Sequence, residues 1–206
     1  MTTTRVYHRD ISQNEEEWTA IRLGRVTGSQ FGTVLSATGK EKATRTKYLL
    51  SLMGERLTRC PAAGYKNANM DRGHVYENDS RTLYELMNGV EIERVGFISL
   101  GEEIGVSPDG CIGDTGMWET KSREPHILLD LHFSGNIPSQ DYAQCQGGLW
   151  VADREWIDYM AFWPGIKPFV KRLYRESKKI SEIRMAVDQF LEELHETMHK
   201  YEKIGG

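Results

Sequence analysis

The sequence predicts an α+β domain in which a mixed central β-sheet is flanked by helices. Three observations predict it. Apolar residues recur at helical spacing up to Gly89, the period changes at Val90 to short apolar runs punctuated by glycines, and one long amphipathic stretch closes the chain. The chain has 206 residues and a mass of 23.6 kDa, enough for one sizeable core, so a single domain over 1–206 is expected. With 39% hydrophobic and 27% charged residues it is a folded, soluble composition, which excludes general disorder. No apolar run approaches the roughly 20 residues of a membrane span, and the polar start Met1–Asp10 lacks a signal-peptide core. A cytoplasmic protein with no membrane partner is expected. Cys60, Cys111 and Cys145 are odd in number and show no CxxC spacing, which excludes a disulfide framework and a structural zinc site and leaves buried free thiols.

Each element has its own signal. Asn14 followed by Glu17 reads as an N-cap with its capping-box partner, opening a helix through Trp18 and Ile21 that stops near Gly24. A second short helix is expected from Ser29 to Leu35. Leu49, Leu52, Met53 and Leu57 mark a third, and Leu83, Leu86 and Met87 a fourth that ends at Gly89. Val90–Leu100, Ile104–Val106, Cys111–Ile112 and Met117–Lys121 read as the strands of a meander, with Gly113-Asp114-Thr115-Gly116 as a hairpin turn. A helix from Ser139 to Ala152 precedes strands Glu155–Trp163 and Ile166–Tyr174, which are separated by Pro164-Gly165. Ile180, Ile183, Val187, Phe190, Leu191, Leu194, Met198 and Tyr201 form one stripe on the last helix, which runs to about Gly205.

The net charge of −4 gives no overall basic character. Locally, however, Lys167, Lys171, Arg172, Arg175, Lys178, Lys179 and Arg184 face only Glu176 and Glu182, with Phe169 and Tyr174 interleaved. That segment reads equally as a phosphate-facing surface or as a solvated face whose long side chains cover apolar surface.

The residues that carry chemistry lie in Ser107-Pro108-Asp109-Gly110 and Trp118-Glu119-Thr120-Lys121. Glu119 and Lys121, two apart on a strand, share one face, and a hairpin at Gly113–Gly116 would fold Asp109 back toward Glu119. Two carboxylates without His or Cys form a hard-oxygen set suited to Mg²⁺ or Mn²⁺, and a neighbouring ammonium can orient water or stabilise charge on a phosphate. On its own the pattern is more commonly that of an exposed hairpin with an ordinary Glu/Lys ion pair.

In order along the chain, Gly73-x-x-x-Glu77-Asn78, Ser107-Pro108-Asp109-Gly110, Glu119-x-Lys121 and Tyr142-x-Gln144-x-Gln146 resemble the phage lambda exonuclease and YqaJ-type viral recombinase family of the PD-(D/E)xK nuclease superfamily. The resemblance runs from Trp18 to about Trp163. It implies a restriction-endonuclease-like core and a metal-dependent, processive 5′-to-3′ exonuclease that acts on double-stranded DNA ends. Such an enzyme leaves 3′ single-stranded tails for recombination by strand annealing. It also implies Mg, with Mn as an alternative and two ions per site, a single-strand annealing protein as partner, a homotrimeric ring, and a phage or prophage origin in a bacterial host.

Residue by residue, the resemblance assigns Asp109 and Glu119 as metal ligands, Lys121 as the catalytic lysine, Glu77 as a helical acid assisting the site, the Thr120 carbonyl as a further ligand, and Gln144 over the active site. Trp18-x-x-x-Arg22-x-Gly24-Arg25-Val26-Thr27-Gly28-Ser29 resembles the family's N-terminal motif, with Gly28 where many relatives have Ala. Arg22, as a guanidinium fork, and the Ser29 and Ser107 hydroxyls are the expected 5′-phosphate contacts. Trp18 reads equally as a core residue and as part of that pocket. Lys171, Arg172 and Arg175 are the expected duplex contacts, while His74, His126 and His132 lack metal-ligand spacing. Two other readings stay open: a structure- or site-specific endonuclease on the same scaffold, and a DNA-end binding module.

Overall fold

The computed structural model describes residues 4–36, 39–62 and 68–204, with the side chains of 39–41 and 68–75 outside the description. Among the described residues the elements run β1 (Arg5–His8), α1 (Glu16–Arg22), β2 (Val26–Thr27), a 3₁₀ turn (Gly28–Gln30), α2 (Phe31–Leu35), α3 (Gly39–Thr58), α4 (Ala68–Asn88), β3 (Phe97–Leu100), β4 (Ile104–Val106), β5 (Gly110–Ile112), β6 (Gly116–Ser122), α5 (Pro125–Ser134), α6 (Ser139–Ala152), β7 (Trp156–Phe162), β8 (Phe169–Tyr174) and α7 (Ser177–Glu202).

The fold class is the expected one, a mixed α/β architecture, with its strands divided between two four-stranded sheets, β1-β3-β4-β2 and β5-β6-β7-β8. The run from Ile104 to Lys121 is therefore not one meander. β3 and β4 pair in the first sheet, and the chain crosses at 107–109 to the β5–β6 hairpin of the second, so Asp109 lies in the crossing. Val90–Leu100 is mostly not strand: only Phe97–Leu100 joins a sheet, with a single bridge between Glu93 and Cys111 before it.

The second sheet is covered on both faces. Met117, Glu119, Ile157 and Tyr159 face α6, whereas Trp118, Asp158, Met160 and Phe162 face α4. This is why β7 reads as a near-continuous apolar run, broken only by Asp158. The larger core gathers Phe31, Leu49, Leu52, Leu149, Phe190 and Leu194 between α2, α3, α6 and α7, and the smaller one packs Tyr84, Trp118 and Met160 under α4. Gly147 lets α6 lie against α2: a Cβ there would sit 2.0 Å from Phe31 Cδ2.

Several boundaries differ from expectation. α1 begins at Glu16 with Glu15 as N-cap and no side-chain cap; Asn14, in the left-handed region at φ 72°, turns the chain instead, so the capping box does not form. Leu57, Leu86, Met87 and Tyr201 are exposed, and α4 instead buries Ser80, Arg81 and Tyr84. A polar face inward hides the periodicity that apolar residues would have revealed. β1, β2 and α5 were not among the expected elements, although α5 is marked by Pro125 at its start and by Gly135, at φ 65°, just past its end; the two-residue β2 exists only through its parallel pairing with β4.

Candidate active site

β6 brings Glu119 and Lys121 onto the face covered by α6. Lys121 Nζ lies 2.6 Å from Glu119 Oε1, and Gln144 Nε2, from α6, donates to the same oxygen at 2.6 Å. Asp109 meets them from the 107–109 crossing, its Oδ2 accepting the Thr120 backbone N–H at 2.7 Å. A Cβ on the next residue, Gly110, would lie 2.1 Å from Ile92 Cγ2, so the chain can pass under Ile92 only as glycine. Burial pushes the Asp109 carboxyl well above the ordinary range, helped by the negative charge of Glu119 and opposed by Lys121. Burial raises Glu119 too, against Lys121. Burial alone would lower the Lys121 ammonium, but Glu119 and Asp109 outweigh it and hold it above its usual value.

Glu77 reaches this group from α4, where its carboxylate faces Arg81 at 3.5 Å and its charge adds to the raised Asp109. Arg81 was not singled out in the sequence. Its side chain is 8% exposed, donates to the backbone carbonyl of Asp109 and, at 3.4 Å, to that of Ile92, and lies over the Trp118 ring. Ser80 anchors the same strand, its Oγ 3.1 Å from Thr120 Oγ1. A third missed group adjoins Lys121: Asp141 accepts from Arg123 and, at 2.7 Å, from Tyr159 Oη, and its charge bears on both Glu119 and Lys121. Glu77 and Arg81 are one helical turn apart, which is a signal, but Asp141 reads simply as a first-turn helix acid.

Arg22, Ser29, Ser107, Glu119 and Gln144 line one pocket of about 40 Å³. Arg22 lies over the Trp18 ring, 4.0 Å from its centroid, and donates to Ser107 Oγ at 2.9 Å. Trp18 Nε1 also donates to Ser107 Oγ at 2.9 Å and to the Gly96 carbonyl at 3.1 Å. Both lone pairs of the Ser107 hydroxyl are thus occupied, which leaves its hydrogen to donate into the pocket. Trp18 therefore acts as a packing residue that backs Arg22 and Ser107 and does not itself line this pocket. Burial lowers the Arg22 guanidinium from its usual value, opposed by Tyr48 and Glu55.

The structure does not bring the basic cluster of β8 to this pocket. Arg172 is bidentate to Asp158, at 2.8 Å on each oxygen, and lies over the Trp156 ring on the α4 face. Arg175 donates to the carbonyls of Leu149 and Arg154, and Lys171, exposed on the α6 face, reaches the Gly135 carbonyl at 2.8 Å. His132 contacts the Lys167 carbonyl, His126 lies 3.9 Å from Glu124, and the side chain of His74 falls outside the described residues. Cys111 and Cys145 are buried free thiols as expected, whereas Cys60 is exposed.

Among the described residues, no three His, Cys, Asp or Glu side chains converge as a ready metal cage. The donor chemistry nonetheless fits a hard divalent cation. Glu119 is buried and Asp109 half-buried, burial raises the pKa of both, and a cation held between them would offset the cost of keeping both carboxylates charged away from water.

The profile of the YqaJ-like viral recombinase domain matches residues 17–155. Among solved structures, the chain is similar to the alkaline exonuclease LHK-Exo of Laribacter hongkongensis, at 29% identity and a TM-score of 0.85 over 93% of this chain and 98% of that one. The same values hold for LHK-Exo in complex with dAMP. A phage-related exonuclease from Haemophilus somnus 129PT shares the fold, at 14% identity and a TM-score of 0.66 over 86% of this chain and 96% of that one. No curated protein sequence matches.

Proposed function

The chain belongs to the family of YqaJ-like viral recombinase domains, and from that premise we propose that it is a metal-dependent 5′-to-3′ exonuclease acting on double-stranded DNA ends. The observation that carries this reading is the single pocket in which Arg22, Ser29 and Ser107 adjoin Glu119 and Gln144. A guanidinium, an obligate hydroxyl donor and a second hydroxyl suit a terminal 5′-phosphate. With that phosphate bound, the next phosphodiester along the strand is the one that lies against the carboxylates. Degradation then starts at the 5′ end and leaves a 3′ tail.

In this reading Asp109, Glu119 and the Thr120 carbonyl would hold Mg²⁺ or Mn²⁺, with Glu77 assisting a second ion. Such an ion supplies Lewis-acid stabilisation of the phosphoryl oxygens and a water of lowered pKa. Lys121, fixed by Glu119, orients the attacking water or compensates charge on the phosphate. Gln144 holds Glu119 in place, and Arg81 holds the Asp109 turn. Lys171, exposed on β8, is the candidate for a duplex contact, whereas Arg172 and Arg175 are engaged by Asp158 and by the Leu149 and Arg154 carbonyls. Processive digestion, a closed homotrimer, a single-strand annealing partner and a cytoplasmic site of action in a bacterial host belong to the same proposal and rest on the family.

The test is digestion of a linear duplex labelled at either end, with a 5′-phosphate or a 5′-hydroxyl, in Mg²⁺ or EDTA, beside a closed circle. Release of 5′-terminal nucleotides from the phosphorylated duplex in Mg²⁺ alone is expected. Cutting of the circle would favour an endonuclease, and binding of ends without turnover would favour a binding module.

A further inference from the structure

Arg22 and Ser29 are shared between the pocket described above and a second, adjoining cavity of about 210 Å³ toward α3. Its wall includes Arg25, Tyr48 and Glu55. The Arg25 guanidinium is engaged by the Gly101 carbonyl, to which it donates at 2.8 Å, and Glu102 and Glu103 lie near enough to offset its charge in part, Glu103 being shared with Arg56 at 2.9 Å. The Tyr48 hydroxyl is held between the Thr27 N–H, 3.2 Å away, and the Arg25 carbonyl, and burial pushes its pKa up to about 12, so it stays neutral.

Glu55 is the unexpected member. Its Oε2 accepts the Gly24 N–H at 2.9 Å and its Oε1 accepts the Ala62 N–H at 3.1 Å. Two backbone amides that would suit a bound anion are thus already occupied by the protein's own carboxylate. Glu55 also acts on Arg22 through space, supporting its charge. A pocket entered past an arginine therefore ends in a fixed negative charge.

We propose that Glu55 makes this a monophosphate-selective end site: a polynucleotide 5′ end with one phosphoryl group is accepted between Arg22 and Ser107, and a 5′-triphosphate end is rejected. The additional phosphoryl groups of a triphosphate have to extend past Arg22 into the cavity, where they meet the Glu55 carboxylate and find its two amides taken. Like charges in a partly buried site are poorly screened, so this repulsion outweighs the extra attraction of a more highly charged end for Arg22. The inference rests on the reading of the Arg22 pocket as the 5′-phosphate site.

The experiment uses three duplexes identical except for a 5′-hydroxyl, 5′-monophosphate or 5′-triphosphate, with single-turnover release of the first nucleotide followed for the wild type and Glu55→Gln. The wild type is expected to prefer monophosphate over triphosphate by about tenfold or more, and Glu55→Gln to lose most of that preference. The ratio is taken within each protein, so a general loss of rate cancels. A second measurement needs no variant. In metal-free wild-type protein, inorganic phosphate should raise the melting temperature at least as much as equimolar tripolyphosphate, although the latter carries more charge. Equal use of monophosphate and triphosphate ends by the wild type, an unchanged ratio in folded Glu55→Gln, or clearly stronger stabilisation by tripolyphosphate overturns the proposal. Equal rates on hydroxyl and monophosphate ends are a different result: they overturn the pocket reading, and the proposal with it.

Discussion

Asp109, Glu119 and Lys121 interact so closely that each substitution tests a different term. Asp109→Ala or Glu119→Ala is expected to lower Mg²⁺-dependent cleavage by about a thousandfold or more with the fold retained, because the ion and the charge compensation are lost together. Lys121→Ala should keep DNA binding and lose rate, since its ammonium acts mainly in the transition state; parallel loss of both would argue against that role. Stability should move the other way. Asp109 has a folded-state pKa raised above its unfolded value, so its contribution favours folding below the unfolded pKa and turns unfavourable as pH rises through the raised one. In EDTA, Asp109→Asn keeps an acceptor for the Thr120 N–H and removes the buried charge. It should melt higher than wild type at neutral pH, by about 1 kcal/mol or roughly 2–4 °C, and the gap should shrink as pH falls. A gap that grows toward acid pH would reverse the sign argued here. Arg22→Ala should reduce run length on long duplexes and the 5′-phosphate preference more than it reduces a single cut, with Arg22→Lys restoring only part, because a point charge lacks the guanidinium fork. Unaltered end preference in folded Arg22→Ala would leave Arg22 as a packing partner of Trp18.

Among the elements, the site depends on α4 being held against the second sheet. Arg81 ties α4 to the Asp109 crossing and to the Ile92 carbonyl, Ser80 ties it to Thr120 of β6, and the Tyr84 hydroxyl ties it to Asp158 of β7, which Arg172 also holds. Arg81→Met removes donors from buried carbonyls and should cost about 2–4 kcal/mol in chemical denaturation, while weakening Mg²⁺ binding followed by calorimetry. Full stability with normal Mg²⁺ affinity would remove Arg81 from the support of the site. Arg172, bound to Asp158 and stacked on Trp156, should behave as structure: Arg172→Gln is expected to lower the melting temperature while leaving the salt dependence of DNA affinity nearly unchanged. Lys171→Gln should flatten that dependence instead. Apart from the helical spacing of Glu77 and Arg81, little of this organisation stood out in the sequence, where Lys171, Arg172 and Arg175 look alike as charges. Strand alternation separates them, sending Lys171 to the α6 face and Arg172 to the α4 face.

At the scale of the whole molecule, a closed ring is the arrangement that would keep an exonuclease linked to its track, and native mass measurement at micromolar concentration should give three copies. A monomer that digests processively would refute it. The helical first part, α6, the β7–β8 pair, the long α7, and the order of Glu77, Asp109, Glu119, Lys121 and Gln144 were legible from local periodicity, turn residues and short motifs. Folding was needed to divide the strands between two sheets, to join Arg22 and Ser107, 85 residues apart, by a hydrogen bond beside Glu119, and to bring Arg81, Asp141 and Glu55 around the site. Local spacing fixes which face of an element a residue occupies. Which faces meet depends on contacts distant in sequence, and a buried polar residue is distinguished from a solvated one only by the partner it finds there.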